Sequence, residues 1–281
     1  MDPNTTKDQD DSSSSTNKIN QPSTTSNNND EKEAAITHLR NWLIQTNHTN
    51  NNLQTTITTI QTNEPSILTN KLFYHRFLLA NNYNLPQTKE SIQQHLVWRC
   101  HIHYPSTLTQ QDVELQIQSN LFQILGTCDN GSVLLLAHHA KLHPNDYTVE
   151  SYERYIVFML EEGLRLSSSQ QQQQQQQHEN QNAKHKFTLL FDLSGFSYTH
   201  HISSHALSLG RAMTLVAQSH YPECLYKMIA VNVPTVFSFF WNVIYRFIDD
   251  KTKEKIVFVK DTVVELGELI CPVTLLPDRL R

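Results

Sequence analysis

The chain has 281 residues and a formal net charge of −5, with 38% hydrophobic and 17% charged residues. That length allows one or two domains, and the acidic balance lacks the basic face of a general nucleic-acid binder, so no nucleic-acid partner is expected. No run of about 20 apolar residues is present to span a bilayer, the N-terminus lacks a secretory-type apolar segment, and Cys100, Cys128, Cys224 and Cys271 form no CxxC pair, which fits a reducing, cytoplasmic setting.

Residues 1–30 are dominated by Ser, Thr, Asn, Asp and Lys. Such a stretch cannot bury enough apolar area to offset roughly 1–2 kcal/mol of backbone entropy per residue, so it reads as a disordered tail. A helical domain is expected over residues 31–104. Within it, 31–46 place Ile36, Leu39 and Leu43 on one helix face, while 49–63 are rich in Thr and Asn and ambiguous. Residues 69–80 read as a helix carrying Leu72, Arg76, Phe77 and Leu79. Asn81 to Asn84 then turn the chain. Pro86 suits the first turn of the next helix, which places Ile92, Leu96 and Val97 inward.

The second domain is expected over 121–281. Residues 124–127 and 132–137 read as strands around a turn at Asp129, Asn130 and Gly131. Residues 152–166 read as a helix. The stretch 167–185, with an unbroken glutamine run from Gln170 to Gln177, reads as a solvated surface insertion, or less plainly as a self-association tract. Next come a strand at 187–191, a helix, a strand at 227–233, a very apolar helix at 236–248 and a strand at 256–259. Strands alternating with helices predict an α/β sheet with helical crossovers. The strand through Leu189 to Phe191 is apolar on both faces and belongs at the centre of the sheet.

The helix at 236–248 decides the reading. Asn232 is its expected cap and Pro234 its first turn. Only Ser238, Asn242 and Arg246 are polar, so it must be covered on several sides or touch lipid. The plainer of these readings is an ordinary core helix.

The order of these motifs resembles the lipid-binding domain of the CRAL-TRIO family. That likeness is carried by Asp192-Leu193-Ser194-Gly195, His220-Tyr221-Pro222-Glu223, Asn232-Val233-Pro234 and residues 249–255. A second part, His75 to Asn84 followed by Val97-Trp98-Arg99, is similar to the N-terminal helical segment of the same family. Leu79 and Asn81 stand where the family often has arginines, Gly131-Ser132-Val133 replaces its Gly-Arg-Pro, and Leu276-Pro277-Asp278-Arg279-Leu280 replaces its Leu-Pro-x-x-aromatic-Gly-Gly ending.

The resemblance implies an N-terminal helical segment followed by a mixed or parallel sheet flanked by helices around an apolar pocket. It implies a pocket and gate formed by Phe237, Phe240, Trp241, Ile244, Phe247, Leu189 and Phe191, with Thr252 and Lys255 on the phosphate of an inositol-lipid headgroup. Glu223, with Lys227 four residues on, falls in a structural polar network. Phe187 and Leu189 occupy positions that are small and hydroxylated in phosphatidylcholine-exchanging members. The expected ligand is one phospholipid or other hydrophobic molecule, with no further cofactor. The expected partner is a transient, peripheral contact with a membrane surface, and the chain is expected to be a monomer. Two other classes remain: an interaction module of the same fold contacting a signalling protein such as a small GTPase, and, more remotely, a hydrolase.

Chemistry is thin elsewhere. His101/His103, His138/His139 and His200/His201/His205 lack HExxH or CxxC company, so no metal is expected. Ser194 precedes Gly195 but lacks the first glycine of a GxSxG elbow.

Overall fold

Five helices build the first unit of this computed structural model, which describes residues 24–46, 51–102, 105–173, 185–259, 266–267, 269–270 and 272–280. They are α1 (Thr24–Thr46), α2 (Asn51–Asn63), α3 (Pro65–Thr69), α4 (Lys71–Ala80) and α5 (Leu85–His101). Ile36, Leu39, Leu43, Leu53, Ile57, Ile60, Phe73, Phe77, Ile92 and Leu96 form their shared core. Two expectations change here. Residues 24–30, expected in a disordered tail, are the first turns of α1; extending a helix already held by Ile36, Leu39 and Leu43 is far easier than nucleating one. The ambiguous Thr/Asn-rich stretch is α2, whose Leu53, Ile57 and Ile60 recur on one buried face. The helix expected over 69–80 is interrupted at Asn70, whose side chain accepts from the N–H groups of Leu72 and Phe73 and caps α4.

Short 3₁₀ turns and α6 (Glu114–Gln118) lead into a five-stranded sheet: β1 (Phe122–Thr127), β2 (Val133–His138), β3 (Phe187–Asp192), β4 (Leu225–Val231) and β5 (Ile256–Phe258). The spatial order is β1-β2-β3-β4-β5. β1 and β2 form an antiparallel hairpin, and β2 to β5 are parallel. The crossovers are α7 (Val149–Gln173), then α8 (Tyr198–His201) with α9 (Ser204–His220), and finally α10 (Phe237–Ile244) with α11 (Asp250–Lys253).

The pleat divides the sheet's two faces. Val133, Leu135, Phe187, Phe191 and Met228 point to the core shared with α7, α9 and α10. Leu134, Leu136, Leu190, Ile229 and Val231 point the other way, onto Leu266, Ile270, Leu276 and Leu280 of the C-terminal segment. The glutamine-rich stretch begins as a continuation of α7 to Gln173, consistent with glutamine's good helix propensity; residues 174–184 and 1–23 lie outside the described residues.

A buried polar network centred on Arg99 joins the helical unit to the sheet unit. Arg99 at the end of α5 is 2% exposed. Its Nε and Nη2 donate to both carboxylate oxygens of Glu64, at 2.6 and 2.7 Å. Glu64 also accepts from the N–H and hydroxyl of Ser106, and Arg99 reaches Glu161 of α7 at 3.4 Å. Glu161 in turn accepts from the phenol of Tyr221. Burial alone would raise the Glu64 carboxyl, but the bonds from Arg99 and Ser106 outweigh it and hold it below the usual range.

Candidate functional site

An apolar cavity of about 170 Å³ lies between the sheet and the helices α7, α9 and α10. Three elements supply its wall with the periodicity each element dictates. Phe187, Leu189 and Phe191 alternate along β3. Gly210, Met213, Thr214, Ala217 and Tyr221 recur at helical spacing along and just beyond α9, as do Ile156, Met159 and Leu160 on α7. Cys224 also faces inward, and burial pushes its thiol up, so it stays neutral in that wall.

The remaining side is closed by α10. Phe237, Phe240 and Ile244 are buried, and Trp241 lines the cavity with them. Phe196 holds the first two edge-on, at 5.3 and 5.6 Å between ring centroids. α10 approaches α9 closely because residue 210 is glycine: a Cβ there would lie 2.7 Å from Cζ of Phe240 and 3.0 Å from Cδ1 of Ile244. The outward side is also apolar. Phe239 is 65% exposed, and Val243, Tyr245 and Phe258 are exposed as well. The helix is shorter than the expected 236–248: it ends at Ile244, tightens into a 3₁₀ turn over Tyr245–Phe247, and Ile248 is extended. Asn232 does not cap it. Its φ is +54°, and its side-chain N–H group is spent on Asp192, at 2.9 Å.

A polar cleft of about 680 Å³ adjoins the cavity, lined from α4 and α5 on one side and from α9, the turn after it and α11 on the other. Gln218, Ile248 and Thr252 line both spaces. Arg246, Lys251 and Lys255 supply its cations; Glu223, Asp249 and Asp250 supply its carboxylates. Most are already engaged. Lys255 lies 3.4 Å from Glu223, and Lys251 donates to Asn82 at 2.7 Å. The hydroxyl and N–H of Thr252 both donate to Asp249, the cap of α11.

Of the residues singled out in the sequence, Leu189, Phe191, Phe237, Phe240, Trp241 and Ile244 meet at the cavity, and Thr252, Lys255 and Glu223 meet at the cleft. Two are placed differently. Phe247 lines the cleft rather than the cavity, its ring 4.8 Å from the Arg211 guanidinium, because the 3₁₀ turn rotates it away. Glu223 does not pair with Lys227: it has a left-handed φ of +58°, and Lys227 sits in β4, so no helical i,i+4 geometry exists and Lys255 takes its place. Met159, Met213, Met228 and Gln218 escaped the sequence reading, although the stripe from Gly210 to Tyr221 carried the signal.

The serine and histidines make no catalytic relay. Ser194 Oγ is 3.4 Å from His138 Nε2, but Asp192 lies 3.6 Å from that same nitrogen, whereas a base must face nucleophile and acid with opposite nitrogens. Asp192 instead gathers Asn232, Ser194 and Arg279. His201 and His205 stand in different helices, each with Nε2 donating to backbone carbonyls. Among the described residues no group of three or more His, Cys, Asp or Glu side chains is placed to hold a metal.

Residues 117–277, more than half of the chain, match the sequence model of the CRAL/TRIO domain. The chain belongs to the CRAL/TRIO family. Among relatives, the phosphatidylinositol transfer protein SFH5 of Vanderwaltozyma polyspora is 30% identical over 108 residues, covering 38% of this chain and 33% of the relative. The phosphatidylinositol transfer protein CSR1 of Eremothecium gossypii is 24% identical over 206 residues, covering 69% and 43%. This chain thus spans less than half the length of either. The crystal structure of Sfh5 superposes with a TM-score of 0.57 at 20% identity, over 74% of this chain and 69% of that one, a likeness of fold.

Within this CRAL/TRIO chain, Asn81, where the family often carries arginine, reaches the cleft but turns its amide N–H to the carbonyl of Phe77. Leu79, at the other altered position, is exposed.

Proposed function

We propose that the protein binds one hydrophobic lipid, with its apolar part in the cavity and its headgroup at Thr252 and Lys255 in the cleft, and exchanges or presents it at membranes. The observation that carries this reading is the junction of an apolar cavity with a polar cleft at Gln218, Ile248 and Thr252. An amphiphile needs that juxtaposition and a purely structural core does not. The relatives described as phosphatidylinositol transfer proteins support a phospholipid cargo.

Magnitudes constrain the mechanism. A two-chain phospholipid hides about 30 methylenes at about 0.8 kcal/mol each, so passage through water costs on the order of 20 kcal/mol. The protein must therefore trade one apolar environment for another. The cavity as it stands, about 170 Å³, is comparable to the roughly 150 Å³ engineered cavity that accepts a benzene. A phospholipid therefore requires α10 to move outward. On a membrane the exposed Phe239, Val243 and Tyr245 find an apolar surface as it does so. Arg246, Lys251 and Lys253 beside them would each add up to about 1 kcal/mol at an anionic leaflet. The protein would act as a cytoplasmic, peripherally associating monomer; among the described residues no helix is long and apolar enough to cross a membrane.

Native mass spectrometry of the purified chain, paired with vesicle-to-vesicle transfer of labelled phosphatidylinositol, tests the reading. A lipid-sized adduct and protein-dependent transfer are expected. A folded chain that carries no lipid and takes none from vesicles overturns it.

A further inference from the structure

A further space of about 290 Å³ lies where α3, α4 and α5 meet α7 and the end of α9; it shares only Tyr221 with the apolar cavity, and Phe77, His220 and Pro222 with the polar cleft. Its chemistry is different. His95 lines it, is 2% exposed, and has no hydrogen-bond partner at either ring nitrogen. His220 lines it too, with its ring centroid 5.5 Å from that of His95 and its Nδ1 likewise unpartnered. A neutral imidazole carries one donor and one acceptor, and leaving buried ones unmade is costly, so three such nitrogens around one space mark a missing partner.

The charges say what kind. Three guanidinium groups reach the lining. Arg99 is neutralised by Glu64 and Glu161, and Arg165 by Glu162 at 2.8 Å. Arg76 has no ion-pair partner among the described residues; its Nη2 donates to the carbonyl of His185. Among the described residues the space therefore presents one guanidinium with no carboxylate partner, two imidazoles able to donate, and one carboxylate, Glu161, already engaged by Arg99 and Tyr221. We propose that it is a second ligand site, taking a small soluble oxyanion of the phosphate or carboxylate class, held by Arg76, His95 and His220. The ligand would bridge the helical unit to the sheet unit, since Arg76 and His95 come from the first and His220 from the second.

The test uses the full chain, titrated with inorganic phosphate at fixed ionic strength and neutral pH. Trp98 is a built-in reporter, because the His220 ring stacks on it at 3.9 Å and 6°. A saturable change in tryptophan fluorescence and a rising melting temperature are expected, with chloride at equal ionic strength giving neither. Arg76→Gln should weaken the phosphate response by about tenfold or more. His95→Phe should abolish it while melting no lower than the parent in phosphate-free buffer, since a phenyl ring suits the Phe73, Phe77 and Trp98 rings around it. Should either variant fail to fold, the parent decides: phosphate must shift the imidazole resonances of His95 and His220 and leave those of His205 in place. No saturable response, equal responses in parent and variants, or a response to phosphatidic acid vesicles but not to free phosphate would overturn the proposal.

Discussion

The ammonium of Lys255 stands 3.4 Å from the carboxylate of Glu223, across 32 residues of chain, in the wall of the polar cleft. A lysine so placed already faces a carboxylate before any headgroup arrives. Glu223→Gln should therefore release it and tighten binding to phosphatidylinositol vesicles, whereas Lys255→Ala should weaken binding by about 1.5–3 kcal/mol, the worth of a charge-assisted hydrogen bond. Vesicle sedimentation across the two variants checks both signs. Equal binding by Lys255→Ala and parent would remove Lys255 from the headgroup site.

Gly210→Ala places a methyl group against Phe240 and Ile244. Overpacking of this kind costs about 1–3 kcal/mol. The strain falls on the face of α10 that closes the cavity, so the variant should melt lower and yet exchange lipid faster. Stopped-flow transfer between vesicles measures the rate; a slower rate at unchanged membrane affinity would mean that α10 is a fixed wall.

Glu64→Ala should cost about 3–5 kcal/mol, because it strands the buried charge of Arg99. The double change Glu64→Leu with Arg99→Met should recover most of that loss. Urea unfolding of the three proteins decides it, and a near-neutral Glu64→Ala would show that Glu161 suffices.

Acid should destabilise the fold between pH 6.5 and about 4. Burial, with Arg99 nearby, pushes the His220 imidazole down to about 4; burial and His201 push His139 to about 3; and burial, Arg99 and His220 hold His95 well below its usual value. Unfolded imidazoles take up protons near 6.5 and the folded ones do not, so the unfolded state binds more protons in this window and stability falls with pH. The slope is about 1.4 kcal/mol per pH unit for each such imidazole. Glu64 and Asp192, both held below their usual values, add to the loss from about pH 5 downward, as the unfolded carboxylates begin to take up protons. Denaturant titrations from pH 7.5 to 4.5 give the slope, and His95→Phe should reduce it by about one proton.

How much of this was legible in the residues depends on the length over which a pattern repeats. The central strand at Phe187–Asp192 shows in a short stretch, because burial on both faces leaves Thr188, bonded to Ser132, as its one polar position before Asp192. The inward-facing side chains of α10 followed from its apolarity, but its end did not, since Ile244 and Ile248 look alike and the change to a 3₁₀ turn is set by packing. α2 was obscured by threonines whose hydroxyls return to carbonyls four residues back, as Thr59 and Thr62 do. The partner of Glu223 could not be read at all, because a left-handed residue before a strand redirects a side chain that sequence spacing would aim at Lys227.

Tyr221 belongs at once to the wall of the apolar cavity and to the hydrogen-bonded chain that runs through Glu161 and Arg99 to Glu64. Anything that presses on its ring from the cavity side also loads the junction between the two units. Thermodynamic linkage then requires the converse: a cargo that packs well against Tyr221 tightens the junction, and loosening the helical unit lowers the affinity for cargo by the same factor. Amide hydrogen exchange in α2, which lines neither the cavity nor the cleft, would therefore report whether the cavity is filled.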